Sequence, residues 1–149
     1  MNALRSLLRA YFGASGLLDL VAPLFDLCLR AYVCYVFFAS GLTKIQSWDS
    51  TIALFENEYA VPVLPPELAA YMGTAAELTL PVFLLLGLGA RAFGIALFVF
   101  NVVAVLSYPD LSPAGVKDHI LWGTIIAMII FHGPGKLSID HFLARHYAK

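Results

Sequence analysis

Apolar residues in this chain do not alternate with polar ones. They come in long blocks separated by short polar breaks, at about 23–42, 67–88, 92–108 and 118–132. Blocks of this length suit α-helices, and at roughly 1.5 Å per residue they measure about 22 to 33 Å against a hydrocarbon core of about 30 Å. The last block is the shortest and fits a thinned bilayer, or a span extended back to Lys117. The breaks carry their own signals. Residues 45–67 hold Pro62, Pro65 and Pro66, which stop one helix and pre-set the start of the next. Gly87-Leu88-Gly89-Ala90-Arg91 reads as a tight turn, Pro109 to Lys117 as a loop, and Gly133-Pro134-Gly135 as a terminator.

Two flanking stretches are amphipathic. Over residues 3–18, Leu4, Leu7, Leu8, Tyr11, Ser15 and Leu18 share one helical face, with Arg5 and Arg9 opposite. Such a helix lies in the membrane interface or caps the bundle, and Asp19 and Pro23 are expected to end it. Ser138 to His146 forms a short amphipathic tail helix, and residues 49–58 a short surface helix between the interfacial aromatics Trp48 and Tyr59. The expected fold is all-α: a four-transmembrane-helix bundle with short amphipathic N- and C-terminal helices. It divides into an interfacial segment (1–22), a membrane domain (23–132) and a cytoplasmic tail (133–149).

Composition supports this. Of 149 residues, 60% are hydrophobic and 13% charged, with mean hydropathy +0.81; soluble domains carry about 25% charged residues. The net charge of −1 gives no field that would attract nucleic acid. With both termini cytoplasmic, Arg5, Arg9, Arg91, Lys136, Arg145 and Lys149 fall inside and only Lys44 and Lys117 outside, which obeys the positive-inside rule. Arg30 sits where a cleavable leader would need an apolar core, so none is expected. Cys28 and Cys34 lie six residues apart on one helix, about 9 Å in rise and 120° in azimuth. They are out of disulfide reach and read as buried apolar residues.

The chemistry rests on the few polar residues inside the blocks. Glu77 lies near the middle of the second span, on a stripe with Ala69, Gly73 and Ala76, and Pro81 removes the amide that would bond its carbonyl. A carboxylate at that depth needs a partner. Arg30, Cys34, Phe37, Gly41 and Lys44 share a face of the first span. Counted from the two membrane surfaces, Arg30 and Glu77 differ by about one helical turn, so an Arg30–Glu77 pair is expected, with Lys44 at the rim. That pair either fixes helix register or forms a polar patch that binds the head of a lipophilic molecule or relays protons; Arg30 snorkelling to the interface is the other outcome. Asn101 is expected to make an interhelical hydrogen bond, worth about 0.6 kcal/mol. Asp118-His119-x-x-Trp122 opens the fourth span, Asp118 as its cap, with His119 and Trp122 on one face either as an interfacial belt or as a contact for a quinone oxygen. His119 and His132 stand about 20 Å apart on one helix and cannot share a haem. A haem would need a dimer mate or another subunit, and His141 and His146 in the tail are a weak pair for a metal, so no metal site is expected; nor is a nucleotide loop or a nucleophile elbow. With no encoded cofactor and no redox dithiol, the chain alone is a poor candidate for a complete oxidoreductase.

The order and spacing of several pieces resemble the DoxX family of small bacterial membrane proteins. They are Arg30; Phe37 through Lys44 (Phe-Phe-Ala-Ser-Gly-Leu-Thr-Lys); Tyr59-x-x-Pro62 with Pro65; Ala76-Glu77; Leu86-Gly87-Leu88 before Arg91; and Gly133-Pro134-Gly135-Lys136-Leu137-Ser138-x-Asp140. The resemblance covers about residues 24–142. It implies a four-helix bundle in the bacterial inner membrane. It also implies a link to quinol oxidation, thiosulfate:quinone oxidoreduction or other membrane redox complexes; the tail has no sulfur chemistry of its own, so the thiosulfate activity is not carried over. The Asp118-His119-x-x-Trp122 stretch resembles a subgroup found beside enzymes that modify metal-binding peptides, which implies metal-stress physiology. The family supplies no secure catalytic set. The expected function is an accessory subunit binding a quinone-like or other lipophilic molecule through Arg30, Lys44, Glu77, Asn101, His119 and Trp122. The rival is a non-enzymatic anchor recruiting partners through its acidic loop or basic tail. Expected partners are the bilayer, that ligand, redox or metal-stress proteins and a second copy of the chain.

Overall fold

A computed structural model describes the backbone from Asn2 to Tyr147, and the side chains of that range apart from residues 2–4, 8–10 and 14. Six helices run in the order α1 (Asn2–Gln46), α2 (Trp48–Asn57), α3 (Pro66–Leu86), α4 (Ala90–Leu106), α5 (Pro113–His132) and α6 (Ile139–Tyr147), with no strand among the described residues. α1, α3, α4 and α5 form an antiparallel bundle in which each packs mainly on the next, while α1 and α5 meet only lightly. α1, α3 and α5 are long and apolar enough to cross a membrane; α4 is apolar but has only 17 residues.

The core joins the helices across the bundle through Val33 and Phe37 of α1, Leu84 of α3, Leu97 of α4, and Ile126 and Ile129 of α5. Gly41 lets α1 approach α3 closely. A Cβ there would stand 2.8 Å from the Leu78 side chain and 3.1 Å from Glu77 Cβ. α2 packs separately, Phe55 against Ala69 and Ala70 of α3.

Three expectations change. The amphipathic segment is not a separate helix: α1 runs unbroken through Asp19 and Pro23 for 45 residues. Pro23 costs one backbone hydrogen bond, which apolar membrane helices tolerate. Leu7, Tyr11, Phe12, Leu17 and Leu18 are exposed along that stretch, while the side chains of Leu4, Leu8 and Arg9 lie outside the described residues. Second, α5 begins at Pro113, not Asp118. Ser112 is its cap, with Oγ accepting from Gly115 N at 3.1 Å, and Pro113 fills the first turn. α5 is therefore 20 residues long, about 30 Å, and Asp118 is an exposed residue within it. Third, Cys28 is exposed, although Cys34 is buried and both are free thiols.

Candidate functional site: an apolar cavity over a buried ion pair

The two ends of the bundle are built differently. At one end, Gly87 and Gly89 adopt left-handed φ values of 65° and 57°, turning the chain from α3 into α4. The stretch after α5 folds over this turn. Asp140 accepts from the backbone N–H of Gly89 (2.8 Å) and Ala90 (2.9 Å), capping α4, and donates its own N–H to Gly87 O at 2.8 Å. Ser138 and the Arg30 guanidinium occupy the space a Gly87 side chain would need. Arg30, fully buried, donates to the carbonyls of Leu85 and Leu137. The guanidinium thus fills carbonyls left free at the C-terminus of α3 and in the tail, where the helix dipole favours a cation.

This overturns the expected Arg30–Glu77 pair, and Arg30 does not snorkel either. In the antiparallel register Arg30 stands beside Leu85, eight residues and about 12 Å further along α3 than Glu77. It is Gly41 that lies level with Glu77. Glu77 pairs instead with Lys44, one turn beyond Gly41. Lys44 Nζ stands 2.9 Å from Oε1 and 2.7 Å from Oε2 of Glu77, and 2.9 Å from Ser40 Oγ. Ser40 in turn donates to Oε1 at 3.1 Å. Lys44 is therefore no rim residue: its side chain is only 13% exposed, that of Glu77 10%.

Above this pair opens a cavity of about 460 Å³ between α1, α3, α4, α5 and the α2–α3 loop, within the range typical of small-molecule sites. Phe37, Phe55, Phe100 and Trp122 give it aromatic walls, and Ser40, Lys44, Glu77, Ser107 and His119 supply polar groups. The stripe Ala69, Gly73 and Ala76 faces it. Ala69 and Gly73 take the Phe55 ring of α2 against them, and the space left beside Ala76 is part of the hollow. Ser107 is 2% exposed, and its Oγ has no hydrogen-bond partner. A buried hydroxyl without a partner carries a desolvation cost, and Ser107 is one of the residues lining the hollow.

Asn101 makes the interhelical bond expected of it, and makes it twice. Its Nδ2 donates to His119 O at 3.0 Å and its Oδ1 meets His119 Nδ1 at 2.7 Å. Since the amide nitrogen faces a carbonyl, the amide oxygen must accept, so Nδ1 of the neutral ring carries the proton. Trp122 stacks edge-on against His119 and Phe37, and its Nε1–H reaches Tyr32 Oη at 3.3 Å across the light α1–α5 seam. At the mouth, Tyr59 packs on Tyr108, which donates to Glu58 at 3.2 Å. Burial pushes the Tyr59 phenol above its usual range, helped by the nearby Glu77, Tyr108 and Glu58. The hydrogen bond to Glu58 does the same for Tyr108. Of the six residues singled out in the sequence, Lys44, Glu77, His119 and Trp122 line the cavity, Asn101 braces His119 from behind, and Arg30 belongs to the other end.

The family model described as DoxX matches residues 25–109, more than half of the chain. The chain belongs to the DoxX family. With its long apolar helices it is a DoxX-family membrane protein. The matched region contains Arg30, the Lys44–Glu77 pair, Asn101 and Ser107, but not His119, Trp122 or the clasp residues Ser138 and Asp140. An uncharacterized protein of Haemophilus influenzae is 27% identical over 130 residues, covering 81% of this chain and 84% of the relative. No solved structure matches this DoxX protein.

Ser107, Ser40 and the α2 residue Phe55 escaped the sequence reading. Ser107 follows the third span like any end-of-helix serine, so only the fold reveals it as a wall residue. Ser40, four residues before Lys44, was the one legible signal, because that spacing brings hydroxyl and ammonium together on a helix.

Proposed function

We propose that this DoxX protein binds a lipophilic molecule with an oxygen-bearing ring head, of the quinone type, in the cavity above Lys44 and Glu77. In this reading it serves as an accessory subunit of a membrane redox or metal-stress system. The observation that carries this is the pairing of an apolar, aromatic-walled cavity with an unpartnered buried hydroxyl at Ser107. The aromatic walls suit a flat ring, and the polar groups at opposite sides suit oxygens at its two ends. Lys44 and Glu77 hold each other in place, so the carboxylate is positioned before a ligand arrives.

The proposal includes orientation. All four bundle helices cross the bacterial inner membrane, α4 in its thinner part. The clasp end, with Arg91, Lys136 and Arg145 exposed, faces the cytoplasm; the cavity opens toward the other side. The acidic-loop anchor gains less support, because Glu58 is engaged with Tyr108.

Titration calorimetry of a decyl-benzoquinone into nanodisc-embedded protein tests the reading. Wild type is expected to bind one molecule per chain, and Ala76→Phe, which fills the cavity, to bind at least about tenfold more weakly. Negligible binding by both rejects the reading.

A further inference from the structure

Whatever fills the cavity, the first half of α1 has an apolar surface that the described residues leave uncovered. α1 joins the bundle at Asp26, which packs against Gly135 of the tail, and at Arg30, which donates to Leu85 and Leu137. Residues 2–25 project past that end as about 36 Å of continuous helix. Every described side chain from Arg5 to Phe25 is exposed except Ser15 and Pro23, which are half-buried. A contiguous apolar surface of this length marks an interaction site.

That surface is ordered. From Leu7 the steps along the helix are four, three, four, three, without a break to Tyr35, passing through Tyr11, Leu18, Val21 and Phe25. This is the 3.5-residue spacing of a helix that pairs with another helix over many turns. All six charged residues of α1 (Arg5, Arg9, Asp19, Asp26, Arg30 and Lys44) fall within an arc of about 100° on the opposite side. The stripe keeps its phase where α1 enters the bundle. Cys28, Tyr32 and Tyr35 stay on the outer face, away from the core residues Val33 and Phe37. A helix lying flat on the bilayer would have to leave the axis of the span, whereas α1 runs on as one helix through Pro23.

The area is sufficient for a stable contact. The large side chains of the stripe are between 42% and 73% exposed. At roughly 200 Å² per aromatic ring, Tyr11, Phe25, Tyr32 and Tyr35 alone offer on the order of 500 Å². Leu7, Leu18 and Val21 bring the stripe close to the roughly 800 Å² per partner of a specific interface.

The geometry points to a parallel two-fold dimer in which two copies of this chain pack α1 against α1 along the stripe from Leu7 to Tyr35. Copies inserted in the same orientation hold their α1 helices parallel, and a two-fold axis between them sets each stripe residue against its own counterpart. Cys28, the exposed thiol, then meets the same thiol of the second copy, while buried Cys34 stays out of reach.

The test is oxidative crosslinking of the full chain in lipid vesicles with copper phenanthroline. Wild type should give a dimer band that Cys28→Ser abolishes and Cys34→Ser spares. With both cysteines replaced by serine, Leu18→Cys, Val21→Cys and Phe25→Cys should restore the dimer. Leu20→Cys should not, although Leu20 is 75% exposed, because it lies off the stripe. Photobleaching of singly labelled chains in vesicles should show two steps for wild type and for Leu20→Glu, and one for Leu18→Glu. Equal crosslinking at Leu20→Cys and at the stripe positions overturns the proposal, as collision alone would produce it. Single photobleaching steps in wild type overturn it whether or not the variants fold. If a fluorophore on Leu18→Cys is then quenched by brominated lipid, the bilayer surface is the occupant instead of a second copy.

Discussion

The reassigned ion pair makes a quantitative claim about which charges are coupled. Consider Lys44→Met, which keeps the volume of the side chain and removes its charge. It leaves the Glu77 carboxylate, buried in the middle of α3, with Ser40 as its remaining hydrogen-bond donor. Breaking a buried pair from one side costs about 3–5 kcal/mol. Glu77→Met should cost less, because Lys44 sits near the end of α1 and its flexible stem can swing outward. The double variant removes the charge problem altogether and should fall within about 1 kcal/mol of wild type, as apolar replacements of buried pairs do. The cycle should therefore return a coupling of about 3 kcal/mol. A parallel cycle with Arg30→Gln and Glu77→Met should be additive within about 0.5 kcal/mol, since about 12 Å of helix separates the two levels. Reversible unfolding in mixed micelles, followed by circular dichroism at fixed lipid-to-detergent ratio, supplies the free energies. A Lys44–Glu77 coupling below about 0.5 kcal/mol, or an Arg30–Glu77 coupling as large, would refute the reasoning.

Other consequences can be checked by the same unfolding assay. Asp140→Ala removes both acceptors that cap α4 and should destabilise by about 0.5–2 kcal/mol, with Asp140→Asn costing less because one acceptor remains. Gly41→Ala puts a methyl 2.8 Å from the Leu78 side chain and should cost about 1–3 kcal/mol by overpacking; an unchanged midpoint would show that the α1–α3 contact is looser than described. Tyr59 and Tyr108 hold their protons more tightly folded than unfolded. Their contribution is therefore intact below the ordinary phenol value of about 10 and is lost as pH rises above it. Tyr59→Phe should flatten that alkaline decline, and an identical pH profile for variant and wild type would contradict the burial argument.

Much of the fold was legible because length and apolarity alone decide which segments cross a membrane. The glycine turn at Gly87 to Gly89 and the Asn101 bond also declared themselves, the first through its need for left-handed backbone, the second because a lone amide among apolar residues must find a partner. Register was the weak link. Taking Pro23 as the start of the first span put Arg30 near mid-depth, whereas the helix continues to Gln46 and Gly41 is the residue level with Glu77. A shift of that size exchanges Arg30 for Lys44 as the partner. It also shows why a long flexible cation cannot be placed by its Cα alone: Lys44 reaches back along the helix to the carboxylate. Ser112-Pro113 was readable as a cap followed by a first-turn proline, but two prolines close together read as loop. The cavity was not legible, because the small residues Ala69, Gly73 and Ala76 signal close helix packing and hollow space with the same letters.

The central claim is that the hollow above Lys44 and Glu77 is a ligand site, and Trp122 is placed to report on it directly. The chain has two tryptophans, so Trp48→Phe leaves Trp122, on the cavity wall, as the sole indole. Titrating duroquinone into this variant in nanodiscs should quench its fluorescence saturably at one molecule per chain, and adding Ala76→Phe, which fills the cavity, should abolish the saturable phase. Quenching that rises linearly without saturation, identical with and without Ala76→Phe, would contradict the account.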